Sequence, residues 1–360
     1  MATSSDRMPE TADEVVGKVF SSGLGMIETL AVYVGDRMGW YRALVEGGPA
    51  TPTELVKRAG GDERYALEWL EQQAVSAYLE VEGEGAERRF SIPPGVAEVM
   101  TDESSLAFLA PLARMLTASA VQIPRLMDAY KNGGGVGWAD FGDDARESQS
   151  DMNRPWLENE LPKALAATPD VHAILSRPGA RIADVGFGGG WSTIALARTY
   201  PQAAVEGFDI DEPSARMAEA NAKEAGMDDR VTFHAVDAAE MGDREFDAVF
   251  AFECIHDMPY PVQVLAAARR AVKDDGVVIV MDEAVGDEFT APGDDTERLM
   301  YGFSLFLCLP DGRNHPDSAM TGTVMRPDTL RRYATEAGFS ALSVLPIEDF
   351  GFWRFYRLHV

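Results

Sequence analysis

From Val15 to about Tyr130, apolar positions such as Val15, Val19, Ile27, Leu30, Val34 and Met38 recur at every third or fourth residue, the spacing of one helical face. This half is predicted to be helical except for one hairpin. Tyr78 to Glu82 and Arg89 to Ile92 alternate apolar and polar positions around Gly83-Glu84-Gly85, whose glycines accept positive φ. Ahead of it, Thr51-Pro52-Thr53-Glu54 opens a helix with a capping threonine and a first-turn proline, and Gly60-Gly61-Asp62 stops that helix and caps the next. Helix, turn, helix and hairpin follow one another in the order of a winged helix.

Lys131 to Gly137 is a glycine cluster that reads as a loop, extended by the acidic, serine-containing stretch Asp143 to Asp151. Two domains are expected, residues 1–150 and 151–360. After a helical run from Arg154 to Leu175, the pattern alternates strands and helices. The strands are Arg181–Val185, Ala204–Asp209, Val231–Ala235, Phe246–Phe250, Gly276–Met281, Ala341–Leu345 and Phe352–His359, with helices such as Ser192–Tyr200 and Pro213–Ala225 between them. Such alternation implies a parallel α/β sheet. Pro346 to Gly351 is too short for a crossover, so the last two strands must pair antiparallel, one reversed strand ending an otherwise parallel sheet. The expected fold class is α/β, a seven-stranded, mostly parallel Rossmann-like sheet with one antiparallel strand, preceded by a mainly helical winged-helix-like domain.

Charge narrows what a winged helix can do here. The 360 residues carry 32 Lys and Arg against 59 Asp and Glu, and residues 1–100 alone hold 9 against 17. The helix that would enter a DNA groove presents Asp62, Glu63, Glu68 and Glu71 against Arg64, the wrong sign for counterion release. No nucleic-acid partner is expected; packing on a second subunit or covering a pocket fits better. Cys254 and Cys308 cannot supply a disulfide framework, which fits a reducing cytoplasm. Met1 to Glu10 is polar, and the longest unbroken apolar stretch, near Phe303 to Leu309, is far shorter than a bilayer span, so neither targeting nor membrane association is expected.

The first strand of the second half runs into Asp184-Val-Gly186-Phe-Gly188-Gly-Gly190-Trp191-Ser192, a turn that brings backbone close to a ligand. Dinucleotide binding wants a third glycine where Trp191 stands, and Asp184 would repel a diphosphate while suiting a cationic amino group. Asp209, 23 residues after Gly186, ends the second strand where a carboxylate accepts ribose hydroxyls, and Asp237-Ala238 ends the third on the same edge. Together these residues describe a pocket for a nucleoside that carries an ammonium group and no phosphate. S-adenosylmethionine answers that description, with S-adenosylhomocysteine as its product.

Asp184 to Gly190, Gly207-Phe-Asp-Ile-Asp211, Val236-Asp237-Ala238 and Phe246-Asp-Ala-Val-Phe250 resemble the successive motifs of class I S-adenosylmethionine-dependent methyltransferases, over about Met152 to Val360. The amino-terminal half resembles, more loosely, the winged-helix dimerisation domain of plant-type and bacterial small-molecule O-methyltransferases. The resemblance implies a cofactor set of Asp184 near the methionine part, the loop glycines, Asp209 with Ile210 at the ribose, and Asp237 with Ala238 at the adenine, Phe252 flanking it. It also implies a homodimer built through the amino-terminal domain.

After the fourth strand comes Phe252-Glu253-Cys254-Ile255-His256-Asp257-Met258, at the same edge. An imidazole there can take a proton from an attacking hydroxyl. The placement resembles the His-Asp pair of plant-type O-methyltransferases, which makes His256 the general base, oriented by Asp282; the family's second orienting glutamate is replaced near Met325. If His256 is not a base, alignment of methyl and acceptor carries the reaction, or a carbon nucleophile is methylated with Glu253 or Asp282 taking the proton. Asp257, Asp282 and Glu283 offer oxygen ligands for magnesium, but carboxylates are common on an acidic surface and no metal is expected. His172, His234 and His359 lack ligand spacing and read as structural. Met300, Phe303, Phe306 and Leu307, with Met152 and Trp156, are expected to line an apolar acceptor pocket. The chain is thus read as methylating a small, largely apolar or aromatic acceptor, at oxygen, in secondary metabolism. A C-methyltransferase, a ligand-sensing winged-helix regulator and a nicotinamide oxidoreductase are the competing readings.

Overall fold

The computed structural model describes residues 11–243 and 245–360; the Met1 to Glu10 segment lies outside the described residues. Contacts divide the chain into two compact units, Met1–Thr117 and Ala118–Val360. Residues 118–150 thus group with the sheet-bearing unit.

The first unit holds α1 (Ala12–Arg37), α2 (Trp40–Gly47), α3 (Pro52–Ala59), α4 (Glu63–Val75), the hairpin β1 (Glu80–Glu82) and β2 (Arg89–Ser91), and α5 (Pro94–Thr101). Its local signals act as expected. The Thr51 side chain accepts from the Glu54 N–H while Glu54 reaches back to the Thr51 N–H, and Asp62 accepts from Arg64 and Tyr65 N–H at the start of α4. Ala50 bridges Phe90, so the wing gains a third short strand segment. Trp40, Tyr41, Leu44, Leu55, Trp69, Leu70 and Phe90 form the core. On α4, Arg64 is paired with Glu68, and Arg88 of the wing with Glu71.

Helix α1 departs from expectation. It contains an 18-residue window of mean hydropathy 1.4, long and apolar enough by length and composition to cross a membrane, with 6% of that window buried. The expectation that no segment reaches this size is corrected: glycines, serines and single charges interrupt the run, so it is never unbroken, yet its average remains apolar.

Next come α6 (Ala110–Val121), within which the division falls, α7 (Ile123–Asn132), α8 (Trp138–Asn159), α9 (Leu161–Ala166) and α10 (Pro169–Leu175). The stretch Asp143 to Asp151, expected as loop, is helical and belongs to α8, which kinks at Gly142 (φ 74°). Its polar composition misled because the buried positions include the small residues Ala145, Ser148 and Ser150, which permit close approach of neighbouring backbone. The sheet follows: β3 (Arg181–Val185), α11 (Trp191–Thr199), β4 (Ala204–Asp209), α12 (Glu212–Glu224), β5 (Val231–Ala235), β6 (Phe246–Phe252), α13 (Pro261–Ala271) and β7 (Val272–Glu283). An insertion holds α14 (Asp295–Phe303), a π-helical turn at Ser304–Cys308 and α15 (Leu309–Arg313). Helix α16 (Pro327–Glu336), β8 (Ala341–Val344) and β9 (Trp353–His359) complete the chain.

The strand order is β5-β4-β3-β6-β7-β9-β8. Neighbours from β5 to β7 pair in parallel, and β9 is antiparallel to both β7 and β8. One strand is reversed, as expected, but it does not end the sheet: β9 slots between β7 and β8, with Met281 opposite Phe355 and Val344 opposite Tyr356. Every residue of β6 is buried, and one core lies on each face of the sheet, around Leu161, Val171, Ile194 and Phe250 on one side and Leu265, Val280, Leu330 and Tyr356 on the other. Parallel crossovers leave the carboxyl ends of β3 to β7 on one edge, where such sheets take their ligands.

Candidate active site

The glycine loop joins β3 to α11. Gly186, Gly188 and Gly190 have φ of 69°, 51° and 80°, which a side chain would strain. Space is short as well: a Cβ on Gly186 would lie 2.7 Å from Cys254 Cβ, and one on Gly189 would lie 2.0 Å from the Ser150 hydroxyl on α8. Asp184 ends β3 fully buried. Its Oδ2 accepts from the Ser192 and Thr193 hydroxyls, both at 2.6 Å, while Oδ1 has no partner. Burial pushes this carboxyl up to about 6.

Asp209, at the end of β4, ties the second strand to the loop by accepting from the Gly188 N–H at 2.9 Å and the Asp211 N–H at 2.9 Å. Burial raises its pKa. The Arg146 guanidinium grips Asp211 with both ends, Nε at 2.7 Å and Nη2 at 3.2 Å, which anchors α8 to this corner. Beside Asp209, Ile210 is 72% exposed, and Asp237 accepts from the Ala239 N–H at 2.8 Å above the buried Ala238. Trp191 is buried where a dinucleotide site needs glycine, with the Arg154 guanidinium 3.9 Å over its ring. Phe252, at the end of the fully buried β6, stacks on Phe250 at 5.2 Å.

The chain after β6 is strained. Glu253 has φ 52°, its N–H donates to the Met281 carbonyl at 2.7 Å, and Asn153 of α8 donates to its carboxylate at 2.6 Å. Burial raises the Glu253 carboxyl. The Cys254 thiol donates to the Val185 carbonyl at 3.2 Å, next to the glycine loop. His256 is buried, with Nδ1 at 2.8 Å from Asp282 and 3.1 Å from Glu283, and Nε2 at 3.3 Å from Asp257. Burial alone would lower its pKa, but Asp257, Glu283 and Asp282 outweigh that and raise it well above the usual value. Both nitrogens therefore face carboxylates, which the single-orienter expectation did not foresee. Asn153 is a partner that sequence reasoning left without a role, being remote in the chain and following no spacing rule, and Glu283, weighed there only as a magnesium ligand, shares Nδ1 with Asp282.

The acceptor residues are only partly brought together. Met300 and Leu307 are buried, Phe303 and Phe306 are half-buried on the same insertion, and Met152 lies half-buried on α8. Trp156 packs on Phe350 at 5.5 Å and Trp353 at 5.8 Å, a cluster of its own. Glu297 on α14 and the half-buried Arg326, both unforeseen, form an ion pair at 3.0 Å. His172, His234 and His359 reach Tyr200, Glu206 and Ser343 respectively.

The amino-terminal residues 27–102 match the Rv2258c-like winged HTH domain, and residues 176–309 match the family model described as methyltransferase domain. Among curated proteins, 27-O-demethylrifamycin SV methyltransferase of Amycolatopsis mediterranei is 36% identical over 130 residues, 34% of this chain and 46% of that one. A ubiquinone biosynthesis O-methyltransferase of Burkholderia pseudomallei is 32% identical over 188 residues, 49% of this chain and 70% of the relative. The chain belongs to the class I S-adenosylmethionine-dependent methyltransferases. Against the first three curated methyltransferases, it spans less than half of their length, at 46%, 45% and 42%. The fold extends further. Mitomycin 7-O-methyltransferase superposes with a TM-score of 0.71 at 20% identity, covering 97% of both chains, and human N-acetylserotonin methyltransferase with 0.69 at 15% identity, covering 98% of this chain and 99% of that one.

Proposed function

We propose that this methyltransferase transfers a methyl group to a hydroxyl of a small, largely apolar or aromatic acceptor. The observation that carries the cofactor half is the buried, unpartnered Asp184 Oδ1 beside a glycine loop pinned by Asp209, a donor-hungry corner that fits an ammonium group and a ribose. When bound, S-adenosylmethionine supplies an electrophilic methyl on a sulfonium. Asp184 faces the methionine end, Gly186, Gly188 and Gly190 let the backbone approach, and Asp209 with exposed Ile210 takes the ribose side. Asp237 and Ala238 take the adenine.

The insertion with Met300, Phe303, Phe306 and Leu307, together with Met152, supplies apolar walls for the acceptor and excludes water. His256 with Asp282 stands at the acceptor end of the sheet. Because both imidazole nitrogens face carboxylates, we assign most of the rate to holding acceptor and methyl in line, an effect worth up to ~7–11 kcal/mol. Methylation at oxygen is supported by the similarity to the ubiquinone biosynthesis O-methyltransferase of Burkholderia pseudomallei.

The amino-terminal unit is proposed to hold a second copy of the chain. Val16, Val19, Phe20 and Ile27 on α1 are exposed, and an apolar groove of about 520 Å³ is lined by Leu30, Val34, Met38, Tyr65 and Trp69. We take this helix as an interface of a cytoplasmic enzyme.

Titration calorimetry with S-adenosylhomocysteine tests the reading. Wild type is expected to bind in the micromolar range, and Asp209→Ala to lose ~1–3 kcal/mol, with Asp209→Asn between them. A radiolabelled-methyl screen of phenols, alcohols and carbon acids then assigns the acceptor atom. Folded wild type without affinity for S-adenosylhomocysteine overturns the proposal.

A further inference from the structure

Helix α8 begins at Trp138 after Gly137, which has no side chain to cap it. The cap comes from elsewhere in the chain. Asp311, on α15 of the insertion, accepts from the Trp138 N–H at 2.7 Å, a carboxylate placed where the helix dipole favours negative charge. The residues leading into α8 lie flat along the same short helix. The Val136 N–H donates to the Pro310 carbonyl at 3.0 Å, and Arg313 Nε donates to the Gly134 carbonyl at 3.3 Å. Glycine lets them lie so close: a Cβ on Gly135 would stand 2.0 Å from the Pro310 oxygen, and one on Gly137 would stand 2.6 Å from Asn314 Nδ2.

A second fastening precedes it in the chain. In the π-helical turn Ser304–Cys308 the Leu309 N–H reaches the Ser304 carbonyl. The next carbonyl, that of Leu305, would look to Pro310, which has no N–H. The Tyr130 hydroxyl, near the end of α7, donates to it instead. The glycine run is thus held against the insertion from both ends. Beyond Trp138, α8 brings Arg146 to Asp211, Ser150 against Gly189 and Asn153 to Glu253, all at the cofactor corner. On the other side, α15 follows the π turn that carries Phe306 and Leu307 of the proposed acceptor wall, and a Cβ on Gly312 would meet the Asp257 carbonyl oxygen at 3.9 Å. One continuous piece of chain, from Tyr130 to Asn153, therefore joins the cofactor loop to the acceptor wall within the second unit.

We propose that residues 130–138 are a strap that couples occupation of the cofactor site to closure of the acceptor wall, with Asp311 as its positioning residue. The strap rests on the methyltransferase reading of the site. When Gly188, Gly189 and Gly190 are held by a guest, Ser150 transmits the restraint to α8, and the bond from Trp138 to Asp311 passes it to α15. Coupling of this kind is reciprocal, so a closed wall also holds the cofactor more tightly. The acceptor pocket is completed once the methyl donor is in place, which shields the reacting groups from water.

Hydrogen exchange read by mass spectrometry on the full chain, with and without S-adenosylhomocysteine, tests the strap, and calorimetry on the same samples reports binding. In wild type, binding is expected to slow exchange at 186–192 and also, by about fivefold or more, at 304–314, to which no cofactor contact is assigned. In Asp311→Ala the slowing at 186–192 should persist, while most of that at 304–314 is lost. Asp311→Asn, whose amide oxygen still accepts from the Trp138 N–H, should behave as wild type. Tyr130→Phe removes the other fastening at an exposed position and should show the same loss, so the test stands even if Asp311→Ala does not fold. Binding that protects only 186–192 in wild type, or protection of 304–314 that survives in the folded variants lacking a fastening, overturns the strap and leaves the methyltransferase reading standing. Folded wild type that does not bind S-adenosylhomocysteine overturns that reading, and the coupling falls with it.

Discussion

Asp184 illustrates how one residue can serve packing and, on the proposed reading, a ligand at once. One oxygen gathers the first turn of α11 through Ser192 and Thr193, and the other is left for a guest. Asp184→Asn keeps the shape and removes the charge, so it should leave folding largely intact while lowering S-adenosylhomocysteine affinity about tenfold, read by calorimetry. Asp311 gives a second prediction at this scale. Its carboxylate accepts from the Trp138 N–H at 2.7 Å, and burial, then the nearby Asp257 charge, pushes its pKa up to about 7. The folded chain therefore keeps a proton there that the unfolded chain, titrating near 3.9, has already lost. That contribution lowers stability as pH rises from about 4 through 7 and is constant above. Asp311→Asn should lessen the loss of stability between pH 5 and 8, seen as a smaller difference in urea midpoint between the two; an unchanged difference would show Asp311 to be ionised in the fold.

At the scale of elements, the glycine loop works because its neighbours are small or yield nothing. A Cβ on Gly190, at φ 80°, would lie 2.7 Å from Ala218 Cβ and 2.9 Å from the Phe233 ring. Gly190→Ala is expected to cost ~1–3 kcal/mol in chemical denaturation, strain and overpacking acting together, and to weaken S-adenosylhomocysteine binding with it. Helix α8 plays the matching part from outside the sheet. It brings Ser150 against Gly189, Arg146 to Asp211 and Asn153 to Glu253. This stretch read as loop because its burial rests on small polar side chains, and hydrophobic periodicity is blind to those. The strand ends of β3, β4 and β5, by contrast, were predicted to the residue, since short β-branched and aromatic runs bounded by turn residues leave few alternatives.

For the whole molecule, the acidic surface and the exposed apolar face of α1 set the expected partners. The chain carries a formal charge of −27, which disfavours phosphate backbones, while α1 offers Val19 and Phe20 to a second copy. Val19→Glu with Phe20→Glu touches no core position, so the unit should stay folded while light scattering reports a shift from dimer to monomer. A wild type that is already monomeric at micromolar concentration would exclude the dimer.

Residue order alone determined the winged-helix signals, the strand sequence, the single reversed strand and the cofactor edge, because capping, alternation and glycine turns are local and the crossover rules leave one sheet for them to build. Tertiary structure decided the rest. It made a helix of Asp143 to Asp151, slotted β9 inside the edge, and closed three carboxylates from two strand ends around His256. Those outcomes depend on which side chains meet across the chain, on burial and on unpaired donors and acceptors, quantities that exist only once distant segments share a core.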